Sequence, residues 1–281
     1  MTPPDEPLRS ATARAAAELA LVRIVHHYGE MPAFILLGGL VPALLCANSP
    51  WRHAGTTDVD VQVDLEIASG SVDAPRLEKA LRSAGFLPGV KDVWRWQTRI
   101  FGETKAEVTF DLLADQENFS ANEVLLFDGC DHLGAANIRG TGYAALDTEV
   151  RMLRAVDEGH TREVHVRVAG LAGFLLAKTA AAYGRGKPKD WYAIAFVLIN
   201  NDYGGVGAAV DRVLSIFPDA LSGSGKTWLR ELRANFADTD SQGVDAYVTQ
   251  MVLDHPELDP IMLSGDARLA VSQFCKGLGV S

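Results

Sequence analysis

The chain lacks the features that mark membrane and secreted proteins. None of its apolar runs approaches the roughly 18 consecutive residues that a membrane-spanning helix needs. Its first residues are rich in proline and acidic side chains, unlike the basic and then apolar start of a secretory signal. We therefore expect a soluble cytoplasmic protein that has no membrane partner.

Paired cysteines and surplus positive charge are also missing. The three cysteines, Cys46, Cys130 and Cys275, are odd in number and far apart, which argues against a disulfide framework or a zinc site and predicts reduced thiols. The chain has 26 lysines and arginines against 36 aspartates and glutamates, a formal net charge of −10. This balance argues against broad non-specific binding to nucleic acid, although a local basic cleft is compatible with it.

What the sequence does contain is a strictly alternating stretch, residues 57–65 (TDVDVQVDL). Apolar side chains share one parity and most polar ones the other, which predicts a β-strand with one buried face. Asp58 and Asp60 lie on the polar face, and residues two apart along a strand are separated by about 6.5 Å. Their carboxylates can therefore hold a divalent cation between them. The ordinary alternative is a solvated strand face that happens to be acidic.

The segments on either side of this strand favour the metal site. An apolar run at residues 34–37 ends in Gly38 and Gly39 and is followed by a short helical segment. Residues 106–113 alternate as well, with Asp111 on their polar face. A second strand therefore offers a third carboxylate.

This order of elements resembles the nucleotidyltransferase superfamily of the polymerase-β type. There a Gly-Gly or Gly-Ser turn precedes a strand with paired acids, and a later strand carries a third acid. The positions of this chain that match the pattern are Gly38, Gly39, Asp58, Asp60 and Asp111. One departure is the spacer of eighteen residues between Gly39 and Asp58, which is longer than in compact members. The resemblance implies an α+β fold with a mixed sheet, Mg²⁺ or Mn²⁺ held by the three aspartates, and NTP phosphates held at the glycine turn.

The second half of the chain has the pattern of a helical domain. A hairpin expected within residues 150–168 closes a first domain of residues 1–168, and amphipathic patterns predict helices in residues 169–281. Lys178 emerges from the apolar face of the first of these helices, where it either snorkels to solvent or neutralises phosphate. Asp190 follows a basic loop and opens the next helix, which is typical of an N-cap.

A helix with a lysine, a basic loop, and Lys-Asp at the start of an apolar helix is similar to the AbiEii/AbiGii toxin family of nucleotidyltransferases. That family is the toxin half of type IV toxin–antitoxin pairs, so the resemblance implies a cognate antitoxin protein as a partner. It assigns Lys178 and Asp190 to the active cleft, with Lys189 beside them as a further NTP-binding group. The family commonly has one more aspartate in the second helix, where this chain has Ala193.

The resemblance implies a Mg²⁺- or Mn²⁺-dependent transfer of a nucleoside monophosphate from an NTP to an acceptor. Asp58 and Asp60 would hold the metals, and Asp111 would share one of them and help to deprotonate the acceptor. Lys178 would neutralise charge on the phosphoryl oxygens. The family suggests an RNA acceptor, particularly a tRNA 3′ end, or a protein hydroxyl. The alternatives are a small-molecule nucleotidyltransferase of the antibiotic-modifying kind and a catalytically silent binding module with this fold.

The stretch Ser222–Thr227 (SGSGKT) is similar to part of a phosphate-binding loop. The full motif requires a glycine at the position that Ala220 occupies, and no convincing buried strand precedes it. We interpret the stretch as a turn that opens a helix.

Overall fold

The computed structural model of the protein describes residues 11–63, 73–89, 92–100 and 106–280. This part of the chain is an α+β structure with a mixed, open sheet and a set of helices. The chain divides into two compact units. The first comprises Met1–Val41 and Ala54–Ala169, and the second comprises Pro42–His53 and Gly170–Ser281.

The first unit contains the sheet. Its described strands are β1 (Ile35–Leu37), β2 (Asp58–Gln62), β3 (Leu87–Pro88), β4 (Arg95–Ile100), β5 (Ala106–Ala114), β6 (Val124–Leu126), β7 (Gly134–Asn137), β8 (Thr148–Asp157) and β9 (His160–Ala169). Their spatial order is β3–β4–β5–β2–β1–β9–β8, with β7 beside β5 and β6 beside β7. The strand β2 runs parallel to β5 and antiparallel to β1, and β4 runs antiparallel to β5. The sheet is therefore mixed around β2.

The alternating side chains of β2 divide between the two faces of the sheet. Val59 and Val61 are completely buried, whereas Asp58 and Asp60 are half-buried on the other face. The alternation predicted for β5 is confirmed in the same way, because its valine, phenylalanine and leucine side chains are buried. The last two residues of the predicted strand 57–65 lie outside the described residues.

Four helices accompany the strands in sequence: α1 (Ala11–Tyr28), α2 (Val41–Leu45), α3 (Ala74–Ser83) and α4 (Tyr143–Leu146). The alanine-rich α1 packs against α3 and against β8 and β9, and burial of its apolar side chains stabilises it more than helix propensity alone would. The helix α3 begins at the N-cap Asp73, whose side chain accepts a hydrogen bond from Arg76 N, and the chain turns at Gly85 with φ +86° after the helix ends.

The helices of the second unit are α5 (Leu171–Arg185), α6 (Pro188–Asn200), α7 (Gly205–Ile216), α8 (Gly223–Ala234), α9 (Gln242–Asp254) and α10 (Pro260–Gly277). The apolar α6 packs against α5, α9 and α10, so it is a core helix of this unit. Within the described residues, no helix on its own has the length and apolar composition needed to cross a membrane; α6 and α7, which are bent by 105° at their junction, meet that test only as a pair.

Several sequence-based predictions can be compared with these elements. The hairpin β8–β9 and the free thiols of the three cysteines are confirmed. Ser222–Thr227 does open a helix, because α8 begins at Gly223. The N-cap role predicted for Asp190 is wrong: α6 begins at Pro188 with Lys187 as its N-cap, and Asp190 lies inside the first turn. The short strands β3, β6 and β7 were not predicted, because two to four residues are too few to show a period.

A nearly buried carboxylate ties α1 to the β8–β9 hairpin. Asp157 accepts hydrogen bonds from Nε and Nη2 of Arg23, at 2.8 and 2.6 Å, and from Nε of Arg162 at 3.0 Å. Burial alone would raise the pKa of Asp157, but the hydrogen bonds and charges of Arg23 and Arg162 outweigh it and hold that pKa below its usual range. The resulting stabilisation is present above the ordinary aspartate pKa and is lost as the pH falls through the lowered pKa.

We expect Asp157→Asn to lower the free energy of unfolding at neutral pH by about 2 kcal/mol, because two guanidinium groups lose their counter-charge. The control is Glu163→Gln, since the exposed Glu163–Arg154 pair on the same hairpin should contribute about 0.5 kcal/mol or less. Urea unfolding measures both, at neutral pH and about one unit below the ordinary aspartate pKa. The deficit of Asp157→Asn should shrink at the lower pH, and an undiminished deficit would contradict the ionic origin of the stabilisation.

Candidate functional site

The polar face of β2 presents the two aspartates that the alternation predicted to lie together. Asp58 stands opposite Thr109 of β5 in the parallel register, and Oγ1 of Thr109 donates a 3.0 Å hydrogen bond to Oδ1 of Asp58. The backbone N–H of Asp58 donates to Oγ1 of Thr56 at 3.0 Å. One threonine therefore orients the carboxylate and the other fixes the start of its strand.

Asp111 and Arg95 extend this acidic face across the sheet. Asp111 is the register partner of Asp60 on β2 and of Arg95 on β4. Because register partners on neighbouring strands point to the same face, the side chains of Asp60, Asp111 and Arg95 form a row. We call Asp58 and these three residues the carboxylate row.

The contact between Arg95 and Asp111 is bidentate. Nε of Arg95 donates to Oδ1 of Asp111 at 2.8 Å, and Nη2 donates to Oδ2 at 2.5 Å. Asp111 is only 4% exposed, so its carboxylate depends on this partner for compensation of its charge. The hydrogen bond to Asp111, aided by the charges of Asp111, Asp58 and Asp60, raises the pKa of Arg95 against the opposing effect of desolvation.

The sequence did not identify Arg95 as the partner of Asp111. Its guanidinium also lies over the ring of Trp94, 4.6 Å from the centroid, which helps to hold its orientation. The sequence signal that would identify it is its place in the antiparallel β4–β5 pair, because Arg95 and Asp111 are equally distant in sequence from the midpoint between the two strands. The alternation within one strand does not show which residues face each other across two strands.

The glycine turn approaches Asp60 directly. Gly38 follows β1, whose last residue, Leu37, is the register partner of Asp60, and it has φ +76°, in the left-handed region that favours glycine. A methyl group on its α-carbon would lie 1.9 Å from Oδ2 of Asp60. Gly38 is therefore required both by the backbone conformation and by the space that the Asp60 carboxylate occupies.

Gly39 also packs closely against the segment that leads into β2. A methyl group on its α-carbon would lie 2.8 Å from Cγ2 of Thr56. The helix α2 that follows the turn has five residues, too few to generate a large dipole at its N-terminus. The helix therefore adds little electrostatic field at this turn.

The donor chemistry of Asp58 and Asp60 fits Mg²⁺ or Mn²⁺, since both ions prefer carboxylate oxygens. Both carboxylates are half-buried on the same face of β2, so an ion can reach them from solvent. Asp111, however, faces Arg95, and in the described parts of the chain no group of three or more His, Cys, Asp or Glu side chains is arranged to hold a metal. A site that uses all three aspartates requires Asp111 to exchange Arg95 for the cation.

The second unit holds its own charged cluster, formed by Lys178, Arg185 and Asp190. Asp190 is completely buried; its Oδ1 accepts from Nζ of Lys178 at 3.1 Å, and Nε and Nη2 of Arg185 donate to its two oxygens at 2.7 and 2.9 Å. Burial would raise the pKa of Asp190, but the charge of Lys178 and then the hydrogen bonds and charge of Arg185 hold it well below its usual range. The cluster is thus an ionised core group.

This geometry excludes one of the two interpretations of Lys178. Lys178 is 8% exposed, so it does not snorkel to solvent but pairs with Asp190 inside the unit. Lys189, on the first turn of α6, is half-exposed. Ala193 is 2% exposed, and an aspartate there would need a partner in the core. Arg185 was not placed with Lys178 and Asp190 from the sequence, although it lies seven residues after Lys178 and therefore on the same face of α5.

Comparison of the chain with protein-family models, with curated proteins and with solved structures finds no match. A functional proposal for this chain therefore depends on its motifs and on the geometry of the two clusters.

We expect Gly38→Ala to lower the free energy of unfolding by roughly 3 kcal/mol, because the methyl group displaces the Asp60 carboxylate and the left-handed backbone adds strain. Gly159→Ala is the matched control: Gly159 has φ +80° with open space around its α-carbon, so this change should introduce only the strain, about 1 kcal/mol. Urea unfolding compares the two variants. Equal losses would show that the close approach of Gly38 to Asp60 is not present in solution.

Proposed function

We propose that the protein is a divalent-metal-dependent nucleotidyltransferase of the polymerase-β type, with a C-terminal helical domain, acting in the cytoplasm. The observation that carries the proposal is the carboxylate row: Asp58 and Asp60 on one face of β2, and Asp111 in register with Asp60. The glycine turn packed against Asp60 supports it. In the proposed reaction the acceptor oxygen bonds to the α-phosphorus of an NTP, the bond to the bridging oxygen breaks, and pyrophosphate leaves.

The roles of the row follow from its chemistry. Asp58 and Asp60 would hold Mg²⁺ or Mn²⁺, which when bound stabilises negative charge on the triphosphate. Gly38 and Gly39 would let the phosphates approach the backbone closely. Asp111 would accept the proton of the acceptor hydroxyl once Arg95 has released it.

Arg95 would act as the exchangeable partner of Asp111. In the described structure it offsets the repulsion between carboxylates that stand side by side. Its side chain is 39% exposed, so it has room to turn away. A guanidinium matches phosphate oxygens as well as it matches carboxylate oxygens, so Arg95 would transfer from Asp111 to the NTP.

We expect Arg95→Gln to bind Mn²⁺ about tenfold more tightly than the unaltered protein, because it removes a charge-assisted competitor for Asp111. Arg82→Gln is the control: Arg82 pairs with Glu78 on α3, so this change removes the same charge from the same unit without touching the row. Isothermal titration of Mn²⁺ without NTP gives the affinities. Weaker Mn²⁺ binding by Arg95→Gln than by Arg82→Gln would contradict the exchange.

Within this class we propose a toxin-like enzyme similar to the AbiEii/AbiGii family, with a cognate antitoxin as partner. The support is the Lys178–Asp190 pair and the adjacent Lys189 at the start of α6. Lys178 would neutralise charge on the phosphoryl oxygens, and Asp190, held by Arg185, would orient Lys178. The buried Ala193 supplies no carboxylate for this chemistry.

The proposed acceptor is an RNA, particularly a tRNA 3′ end, or a protein hydroxyl. The surplus of aspartate and glutamate is unevenly distributed between the two units, and this affects which acceptor each unit can approach. The second unit has eleven lysines and arginines against twelve aspartates and glutamates, whereas the first has fifteen against twenty-four. An RNA acceptor would therefore be repelled less by the second unit. The acidic first unit is better suited to a cationic small molecule, which is the alternative acceptor.

One observation favours a second candidate, a catalytically silent binding module. Arg95 and Asp111 compensate each other's charge through two hydrogen bonds without a metal ion. Among the described residues, no three or more His, Cys, Asp or Glu side chains are positioned to bind one. Calorimetry distinguishes the candidates. The enzyme should bind NTP only when Mg²⁺ or Mn²⁺ is present, and the module should show no such dependence.

We expect Asp60→Asn to reduce nucleotidyl transfer by about a thousandfold while the melting temperature is unchanged or slightly raised, because one of several adjacent negative charges is removed. Glu107→Gln is the control, since Glu107 is an exposed carboxylate on the same strand as Asp111 and should be dispensable. The assay incubates each labelled NTP with Mg²⁺, the protein and total cell extract, and measures label in RNA, protein and small molecules. Full transfer by Asp60→Asn would overturn the proposed function.

Asp111→Asn should also abolish transfer, but its effect on stability should differ. The change leaves Arg95 without its bidentate partner, so we expect a loss of about 1–2 kcal/mol in the free energy of unfolding. Urea unfolding of the two asparagine variants measures this difference. Equal stability of Asp60→Asn and Asp111→Asn would contradict the pairing in the carboxylate row.

A further inference from the structure

A basic cavity lies within the second unit, where α8 and α10 pack together. Its volume is about 670 Å³, and its lining includes Arg230 and Arg233 from α8 and Arg268 from α10. None of the described residues that line it belongs to the carboxylate row or to the Lys178 cluster. The cavity is therefore a separate feature of the molecule.

Helix geometry and two hydrogen bonds place the three arginines at the cavity. Arg230 and Arg233 are three residues apart on α8, so they share a helix face. Arg268 is anchored, because its Nε and Nη2 donate to the carbonyl oxygen of Ala237 at 3.2 and 3.0 Å. One guanidinium is thus held in place, and two more project from the facing helix.

The described residues that line the cavity include three arginines and no aspartate or glutamate. Among the residues that the structure describes, neither Arg230 nor Arg233 forms an ion pair. Guanidinium groups remain charged at physiological pH, so arginines that line one cavity repel one another unless an anion lies between them. Arg233 is in the last turn of α8, where a cation stabilises the helix end, but this role does not explain Arg230 or Arg268.

The apolar residues that line the cavity indicate which class of anion fits it. Phe236, which is buried, and Leu269, which is 58% exposed, place carbon surface in the same cavity as the guanidinium groups. Guanidinium groups bind phosphate oxygens through forked hydrogen bonds, and the carbon surface can receive a base or a ribose. An inorganic anion alone would leave that surface unused.

We propose that this cavity binds a ligand with phosphate ester groups, either a nucleotide or the backbone of a single-stranded RNA. The nearly balanced formal charge of the second unit makes it a less repulsive location for such a polyanion than the acidic first unit. Binding here depends on the arginines and on no metal. It is therefore independent of the nucleotidyl transfer proposed for the first unit.

Calorimetric titration with inorganic phosphate, ATP and a short single-stranded oligoribonucleotide tests the proposal. The buffer contains EDTA, so that metal binding at the carboxylate row takes no part. The unaltered protein is compared with the double variant Arg230→Gln/Arg233→Gln. The control is Lys226→Gln/Lys276→Gln, which removes the same number of charges from α8 and α10, the two helices that line the cavity, at positions outside its lining.

We expect the arginine variant to bind ATP or the oligoribonucleotide about tenfold more weakly, whereas the lysine variant binds as the unaltered protein does. A loss confined to the oligoribonucleotide identifies RNA as the ligand, and a loss for ATP identifies a nucleotide. For the oligoribonucleotide, the slope of log affinity against log salt should flatten by about 0.7 for each phosphate contact removed.

A second variant, Ser272→Glu, adds a negative charge to the cavity lining without removing an arginine. It should weaken binding of the same probe, and thermal unfolding verifies that each variant is folded. Equal losses in the arginine and lysine variants, or the absence of ATP and oligoribonucleotide binding by the unaltered protein, would overturn the proposal. Neither result depends on whether Asp60→Asn retains transfer activity, so the two proposals fail separately.

Discussion

The register between β2, β5 and β4 is the constraint on which the candidate site depends. It places Asp60 opposite Asp111 and Asp111 opposite Arg95, so the spacing of the carboxylates is set by the backbone ladder. Two carboxylates on adjacent strands, about 5 Å apart, repel by roughly 1–3 kcal/mol, depending on the local dielectric. Such a row is stable only when a cation offsets the repulsion between its carboxylates. In the described structure that cation is Arg95, and a divalent ion is the natural competitor for its place.

The charged groups of this protein fall into two kinds. Asp157 and Asp190 are each satisfied by two basic side chains from within their own unit, so these two carboxylates need no external cation. Removing one partner from such a group costs more than the intact group contributes, because it leaves an uncompensated buried charge. The carboxylate row and the arginine-lined cavity are different, because each has an excess of one sign. Only groups of this second kind would be stabilised by an external ligand of opposite charge.

Alternation in the sequence was sufficient to predict β2, β5 and the face on which Asp58, Asp60 and Asp111 lie, because one buried face imposes a period of two. It could not predict which cation faces Asp111, since cross-strand partners depend on pairing between distant segments. The strand β7 (GAAN) has no β-branched or aromatic side chains, and it forms because its backbone pairs with β5 and β6. Residues 42–53 join the second unit for a similar reason: the backbone N–H groups of Ala47 and Asn48 donate to the distant Asp202.

The measurement that bears most directly on the carboxylate row is crystallographic. Crystals grown with Mn²⁺ and a non-hydrolysable NTP analogue would be examined for anomalous scattering at the manganese edge. We predict a peak within about 2.0–2.3 Å of carboxylate oxygens of both Asp58 and Asp60, with Asp111 turned away from Arg95 toward the same ion. Absence of a peak at these aspartates in crystals that contain the ion elsewhere, with the Arg95–Asp111 pair intact, would contradict the proposed metal site.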